Sequence, residues 1–566
     1  MLRRAFLVFL SLCGVLIANP APAQSANGPG LAALPIVVPV KSCASLAALE
    51  LSGATGAATT LAAREVVGQH PYCEVTGTIA PAIRFEVHLP LAGWTQRFLE
   101  TGCGGLCGML RVEAEKSEGC TPVTDGSITL ASTDMGHQGM DPSWGVDAQK
   151  RVDFAHRGVH VTVLAAKALI NAFYGQAPRY SYFSGCSDGG REALIEAQRY
   201  PKDFDGIAAG APALNFTVQN SFHHGWLAKV NTGADGHAIL AAIDMKPLHA
   251  AVLAACDGLD GLVDEQITDP RACRFDPVGL TCKGDYRPGE CLTRTQIDAV
   301  RAIYDGARSP SGKRLEVGPL QPGSELEWVG VFVPRERTGR IGSESMALDT
   351  INHLLFSPDR TYSIASFPFI EETLASEEPA RALYSADNPD LGGFAGHGGK
   401  LILWHGWSDP HISPLNTIDY YERVGRQMGA GTRDGFVRMF LMPGMGHCGG
   451  GDGPSEFPLL AGLMAWVESG SAPAEMLTHR KVPQPMGPPP RGPAGAAHDG
   501  PPPEVIAAMR AHDAEVAKLA PRSRPVYAYP QVARYKGSGP IDEAGSFSAT
   551  TPAPVKGISD WVGARP

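Results

Sequence analysis

The sequence predicts an α/β fold, and three observations carry that expectation. A single Gly-x-Ser-x-Gly motif, Gly185 to Gly189, lies between an apolar, strand-like approach (Tyr182, Phe183, Ser184) and a helix-forming run from Arg191 to Ala197. Two further apolar runs, Lys400 to Trp404 and Phe436 to Leu441, read as buried strands, and each ends in a loop carrying residues able to do chemistry. The chain has 566 residues, too many for one ordinary core and enough for an enzyme domain with a large insertion.

In chain order, Leu2, Arg3 and Arg4 precede an apolar run from Ala5 to Ala18 that ends in Ala21-Pro22-Ala23. Residues 1–23 therefore read as a secretory signal cleaved after Ala23, and the mature protein is expected to be secreted or periplasmic. A lipid anchor on Cys13 is disfavoured because Leu12 is too large for the position before a lipidated cysteine. No other apolar run is long enough to span a bilayer. Export sets the reading of the cysteines. Of the twelve, eleven remain after Cys13 is removed, and in an oxidising compartment most should be paired with one left over. Zinc is discounted, because neither paired Cys-x-x-Cys motifs nor a Cys/His cluster at ligand spacing is present. A formal net charge of -10 without long basic runs argues against nucleic-acid binding. A hydrophobic content of 44% with 66 Gly and 47 Pro describes a folded, loop-rich chain. Pro485 to Pro503 reads as a flexible loop with no catalytic content.

The strand Arg97 to Glu100 runs into Thr101-Gly102-Cys103-Gly104-Gly105-Leu106, a glycine-rich loop suited to presenting a backbone N–H. At the Gly-x-Ser-x-Gly turn the small residues let the chain reverse sharply, so that Ser187 stands exposed with a helix N-terminus behind it. Ser187 is the candidate nucleophile. A catalytic serine needs a base, and the base an orienting acid. Asp409 follows the first strand end in His405-Gly406-Trp407-Ser408-Asp409-Pro410, and His447 follows the second in Gly444-Met445-Gly446-His447-Cys448-Gly449-Gly450. The order Ser187, Asp409, His447 is that of α/β-hydrolases. Asp409 before Pro would otherwise be a turn residue, and His405 is the nearest rival base, but it lies in the acid's own loop. The oxyanion donors are assigned to the N–H of Asp188 and that of Gly104, with Gly105 as the alternative. Cys186 precedes the serine and Cys448 follows the histidine. If Ser187 and His447 approach each other, these neighbours fall within the roughly 7 Å between Cα atoms that a disulfide allows.

These paired Cys-Ser and His-Cys motifs, with Gly185 to Arg191, Tyr200 to Pro212 and His405 to Pro410, resemble the tannase and feruloyl esterase family, which includes a mono(2-hydroxyethyl) terephthalate hydrolase. The similarity runs from about Cys43 to Ser548. It implies an α/β-hydrolase core in two parts, residues 24–215 and 396–566, with a lid domain, residues 216–395, inserted between nucleophile and acid. It also implies a structural Ca²⁺ in the lid, held by the carboxylates of Asp257, Asp260 and Asp264 and the carbonyls of Leu262 and Gln266. That all-oxygen set suits a hard cation, although no glutamate closes an EF-hand loop. Cys256 and Cys273 fit a clasp around this loop, and Cys282, Cys291, Cys43 and Cys73 are expected in disulfides too. The pairing of Cys103, Cys107 and Cys120 stays open. One departure is that Tyr527 and Ala549 stand where relatives carry a disulfide, so the C-terminal segment should be held less tightly, by on the order of 3 kcal/mol. The activity implied is hydrolysis of small aromatic esters of feruloyl, galloyl or terephthalate type, with Trp328, Phe332 or Phe367 as lid residues that could select among them. The competing reading is a secreted, calcium-binding recognition protein that keeps the fold without the chemistry.

Overall fold

The structure, a computed structural model, describes residues 30–356, 361–480, 521–555 and 560–564. The signal segment 1–23 and the stretch 485–503 lie outside the described residues. A nine-stranded sheet organises the chain, in the order β1-β2-β3-β5-β4-β6-β7-β8-β9. Three strands, β1 (Thr59–Val66), β2 (Tyr72–Ile79) and β3 (Ile83–Pro90), form an antiparallel meander joined to β5 (Thr129–Thr133). From β5 onward the neighbours β4 (Arg97–Thr101), β6 (Tyr180–Cys186), β7 (Gly206–Gly210), β8 (Lys400–Gly406) and β9 (Val437–Met442) pair in parallel.

The parallel strands are apolar on both faces because both faces are covered. Along β8, Leu401 and Leu403 join one core with Phe98, Phe183 and the helix Gly158–Tyr174, while Ile402 and Trp404 join another with Tyr182, Phe440 and the helix Leu459–Ser469. Central β7 is Gly-Ile-Ala-Ala-Gly for lack of room. A Cβ on Gly206 would stand 2.8 Å from the Tyr182 ring, and one on Gly210 would stand 2.1 Å from the Trp404 ring.

Between β7 and β8 the chain leaves the sheet and builds a second apolar cluster, with Phe222, Leu248, Val300, Ile303, Trp328, Phe332 and Phe367 at its centre. Its helix Arg294–Asp305 opens with a reciprocal cap: Thr293 Oγ1 accepts the Gln296 N–H, and the Gln296 side chain accepts the Thr293 N–H. Leu354, Tyr384, Leu391 and Phe394 of the insert pack instead with the sheet's core, and Trp561 near the C-terminus packs with the insert. Ser413 Oγ donates to the Pro319 carbonyl at 2.7 Å and Ser408 Oγ to that of Gly323 at 3.2 Å, so the insert is seated on the loop after β8. Five disulfides are present among the described residues: Cys43–Cys73, Cys103–Cys107, Cys186–Cys448, Cys256–Cys273 and Cys282–Cys291. Cys120 is a buried free thiol, its pKa pushed up to about 12 by burial. Tyr527 pairs with Glu475 and Ala549 with Ala533 in two small two-stranded antiparallel sheets. Arg522 Nε donates to Asp542 at 2.6 Å and ties the two together.

Candidate active site

Strand β6 ends at Cys186 and the helix Asp188–Arg199 begins two residues later, so Ser187 must make the whole turn. Its backbone sits at φ 65°, ψ -120°, a conformation that costs a non-glycine residue on the order of 1–3 kcal/mol. Backbone bonds hold it there: the Ser187 N–H donates to Gly210 at 3.0 Å, and its carbonyl accepts the N–H groups of Arg191 and Ala213. The flanking glycines are needed for close approach. A Cβ on Gly185 would lie 2.5 Å from the Gly189 carbonyl oxygen, and one on Gly189 would lie 2.8 Å from that of Cys103.

Asp409, 1% exposed, lies past the end of β8 with four donors. Its Oδ1 accepts the backbone N–H groups of His411 and Ile412 at 2.8 and 3.0 Å, and its Oδ2 faces His447 Nδ1 at 2.7 Å and His405 Nε2 at 3.0 Å. Burial alone would raise this carboxyl, but its pairing with His447 and the hydrogen bonds from His405 and His447 outweigh it and hold Asp409 well below the usual range. His405 Nε2 also faces the Ile412 carbonyl at 2.9 Å, so it must carry the proton, and the ring acts as a donor to the acid. His447 Nδ1–H donates to Asp409, which leaves Nε2 of the neutral ring with its lone pair free.

The Cys186–Cys448 disulfide, with 5.9 Å between Cα atoms, brings the serine and histidine loops together. Ser187 and His447 line one cavity of about 390 Å³ with Gly104, Met109, Met140, Trp404 and Leu459. No hydrogen bond joins Ser187 to His447 among the described residues; such contacts often close only when substrate is bound. Behind His447 stand His411, with ring centroids 4.8 Å apart, and then His224, 5.6 Å from His411. Burial and the nearby His447 push His411 down to about 4, and burial with the neighbouring imidazoles holds His224 well below its ordinary value, so both rings are neutral. On the insert, Glu327 lies so close to the His447 loop that a Cβ on Gly446 would meet its carboxylate at 2.3 Å. Burial, then the negative charges of Asp452 and Asp409, push Glu327 up to about 7.

Asp188 is the first residue of its helix, where an N–H has no intrahelical partner, and its side chain makes a buried two-point ion pair with Arg191. Arg191 is held in turn by the carbonyls of Ala155 and Phe154 and by the rings of Phe154 and Phe216. The Gly104 N–H has no acceptor among the described residues, whereas the Cys103 N–H is spent on Glu192 at 3.2 Å. In the loop after Cys256, Asp257 accepts the N–H groups of Asp264 and Glu265, Asp260 accepts that of Leu262 at 3.0 Å, and Asp264 is ion-paired with Arg524. Burial and the charges of Asp264 and Asp257 raise the Asp260 carboxyl. Trp328, Phe332 and Phe367, considered above as selecting residues, are 0, 0 and 2% exposed and form the insert's own core instead of lining the Ser187 cavity. His405 as a second partner of the acid, the Arg191 pair and the neutral histidines behind His447 escaped the sequence reading. His405 carried a signal, since it directly precedes the Asp409 loop; the others meet only through space.

A family model described as tannase and feruloyl esterase matches residues 64–550. An uncharacterized esterase of Xanthomonas campestris pv. campestris is 32% identical, covering 89% of this chain and 90% of its own. The mono(2-hydroxyethyl) terephthalate hydrolase of Piscinibacter sakaiensis is 29% identical over 89% of this chain and 88% of its own. Among solved structures, feruloyl esterase B from Aspergillus oryzae superposes with a TM-score of 0.70 at 26% identity, covering 86% of this chain and 91% of that one. The mostly parallel sheet with its large insertion is thus an α/β-hydrolase fold, and the chain belongs to the tannase and feruloyl esterase family as a carboxylic ester hydrolase.

Proposed function

We propose that this protein is an exported serine esterase that cleaves esters of aromatic carboxylic acids by two-step acyl transfer. The observation that carries the reading is the Asp409–His447 hydrogen bond at 2.7 Å on a loop disulfide-bonded to the residue before Ser187. His447 Nε2 takes the Ser187 proton as Oγ attacks the ester carbonyl, and Asp409 fixes the ring and stabilises the imidazolium. The Asp188 and Gly104 N–H groups hold the oxyanion, His447 returns the proton to the departing alcohol, and a water activated by the same ring releases the acid. Trp404, Met109 and Met140 give the cavity an apolar wall suited to an aromatic group. The relatives' names support the aromatic class. Five disulfides fit an oxidising compartment and support export.

We read the loop Asp257–Gln266 as the site of a structural Ca²⁺. Burial and the charges of Asp264 and Asp257 raise the Asp260 carboxyl, a cost that a hard cation on this loop would relieve. Asp257, Asp260, Asp264, Leu262 and Gln266 would hold it, with one Asp264 oxygen already on Arg524.

Ser187→Ala tests the assignment. Turnover of methyl ferulate, methyl gallate and mono(2-hydroxyethyl) terephthalate should fall by several orders of magnitude with an unchanged circular dichroism spectrum. Near-normal turnover in the folded variant would sink it, and a wild type inactive on every ester tried would favour the recognition-protein reading.

A further inference from the structure

Beside the proposed oxyanion site, Gly102 to Cys107 crosses the N-terminus of the helix that carries Asp188. It does so at backbone contact: a Cβ on Gly102 would meet the Gly189 Cα at 2.7 Å. The turn itself, Gly104-Gly105-Leu106-Cys107, is closed by the Cys107 N–H on the Gly104 carbonyl at 3.0 Å. With Gly105 at φ 63° and two consecutive glycines, it has little intrinsic preference for this shape. Three things fix it. His137 Nε2 meets the Leu106 carbonyl at 2.6 Å. The Cys103–Cys107 disulfide clamps the two ends, its Cα atoms 5.3 Å apart. The clamp rests on Glu192, whose Oε1 lies 2.8 Å from Cys103 Sγ and 3.3 Å from Cys107 Sγ, and whose Oε2 accepts the Cys103 N–H.

Burial and the charge of Asp188 push the Glu192 carboxyl well above the usual range, and at 2.8 Å from Cys103 Sγ its O–H, when protonated, can donate to a disulfide sulfur that has no proton of its own. Cys103, Cys107, Asp188 and Glu192 bring ligand-type atoms within 4.8 Å of one another, but bonded sulfurs are not thiolates, and the group reads as a clamp and not as a metal site.

We propose that the Cys103–Cys107 disulfide, seated on Glu192, is a positioning device that registers the Gly104 N–H to the helix bearing Ser187 and Asp188. Both oxyanion donors then refer to one rigid element, Asp188 directly and Gly104 through the clamp. This inference rests on the serine-esterase reading. A donor that wanders by about 1 Å weakens the transition state, not substrate binding, and such errors can cost on the order of a hundredfold in rate.

The test compares wild type with Cys103→Ser/Cys107→Ser on 4-nitrophenyl acetate, and measures the inactivation rate by a fluorophosphonate, which makes a tetrahedral adduct on Ser187. The expected result is kcat down by about tenfold to a hundredfold, KM within about twofold, an unshifted pH profile and a parallel drop in inactivation rate. A kcat within twofold of wild type, or a loss carried by KM, overturns the proposal. Should the double variant not fold, Glu192→Leu and Glu192→Gln replace it with the disulfide intact. The Leu variant should lose kcat and the amide, which can still donate to sulfur and accept the Cys103 N–H, should keep it; equal activity in both overturns the proposal. Wild type that fails to label at Ser187 counts against the esterase mechanism instead, which separates the two failures.

Discussion

Asp409 is the residue on which most converges, because one carboxylate oxygen serves two imidazoles while the other takes two backbone N–H groups. Asp409→Asn should keep the shape of the loop but offer His447 an amide that can favour the wrong tautomer. We expect kcat to drop by on the order of 10³–10⁴-fold with little change in melting temperature, as read by steady-state kinetics and thermal melts. His405 acts one step further out. Its removal in His405→Phe leaves Thr417 and the Ile412 carbonyl without their buried partner. That should cost about 1–3 kcal/mol in stability and a smaller factor in rate than Asp409→Asn, so a His405→Phe protein as slow as Asp409→Asn would make His405 part of the proton path. Ser187, Asp409 and His447 are legible in the sequence because each sits in a short glycine-bearing turn after an apolar run. Arg191 beneath Asp188, and His411 behind His447, are not. They depend on the insert and two loops meeting in space, which no local pattern encodes.

Among elements, the short turn Glu325–Trp328 of the insert gives the clearest pH dependence. Glu327 carries a pKa of about 7 in the fold against 4.5 for the free side chain, so between those values the unfolded chain ionises while the folded one stays protonated. The folded state then binds more protons, and stability falls as pH rises through this window, by on the order of 1–3 kcal/mol. Glu327→Gln should flatten that decline, raising the melting temperature at pH 8 more than at pH 5; an equal effect at both would mean that Glu327 ionises freely. Strands show where sequence patterns succeed. β6, β8 and β9 match their apolar runs to within a residue or two, but β7, Gly-Ile-Ala-Ala-Gly, has poor strand propensity and is a strand because β6 and β8 pair with it on both sides, its end glycines kept small by the Tyr182 and Trp404 rings.

For the whole molecule, chain length points to a large insertion but its bounds come only from family resemblance, since its edges are shared: Tyr384 and Leu391 pack with the sheet and Trp561 with the insert. Its proposed calcium should hold it together. Excess chelator should lower the melting temperature by several degrees, reversed by added Ca²⁺, because the ion binds only the folded loop. An unmoved melt, with no calcium by elemental analysis, removes the ion from the description. The covalent layout has a further consequence. The Cys186–Cys448 bond spans 262 residues, so the entire insert lies within a closed ring whose clasp is next to Ser187 and His447. A protease that nicks the chain anywhere within residues 216–395 leaves Ser187, Asp409 and His447 on fragments still tied together, a single band on a denaturing gel until a reductant splits it. A cut anywhere in the insert therefore releases neither half of the chain.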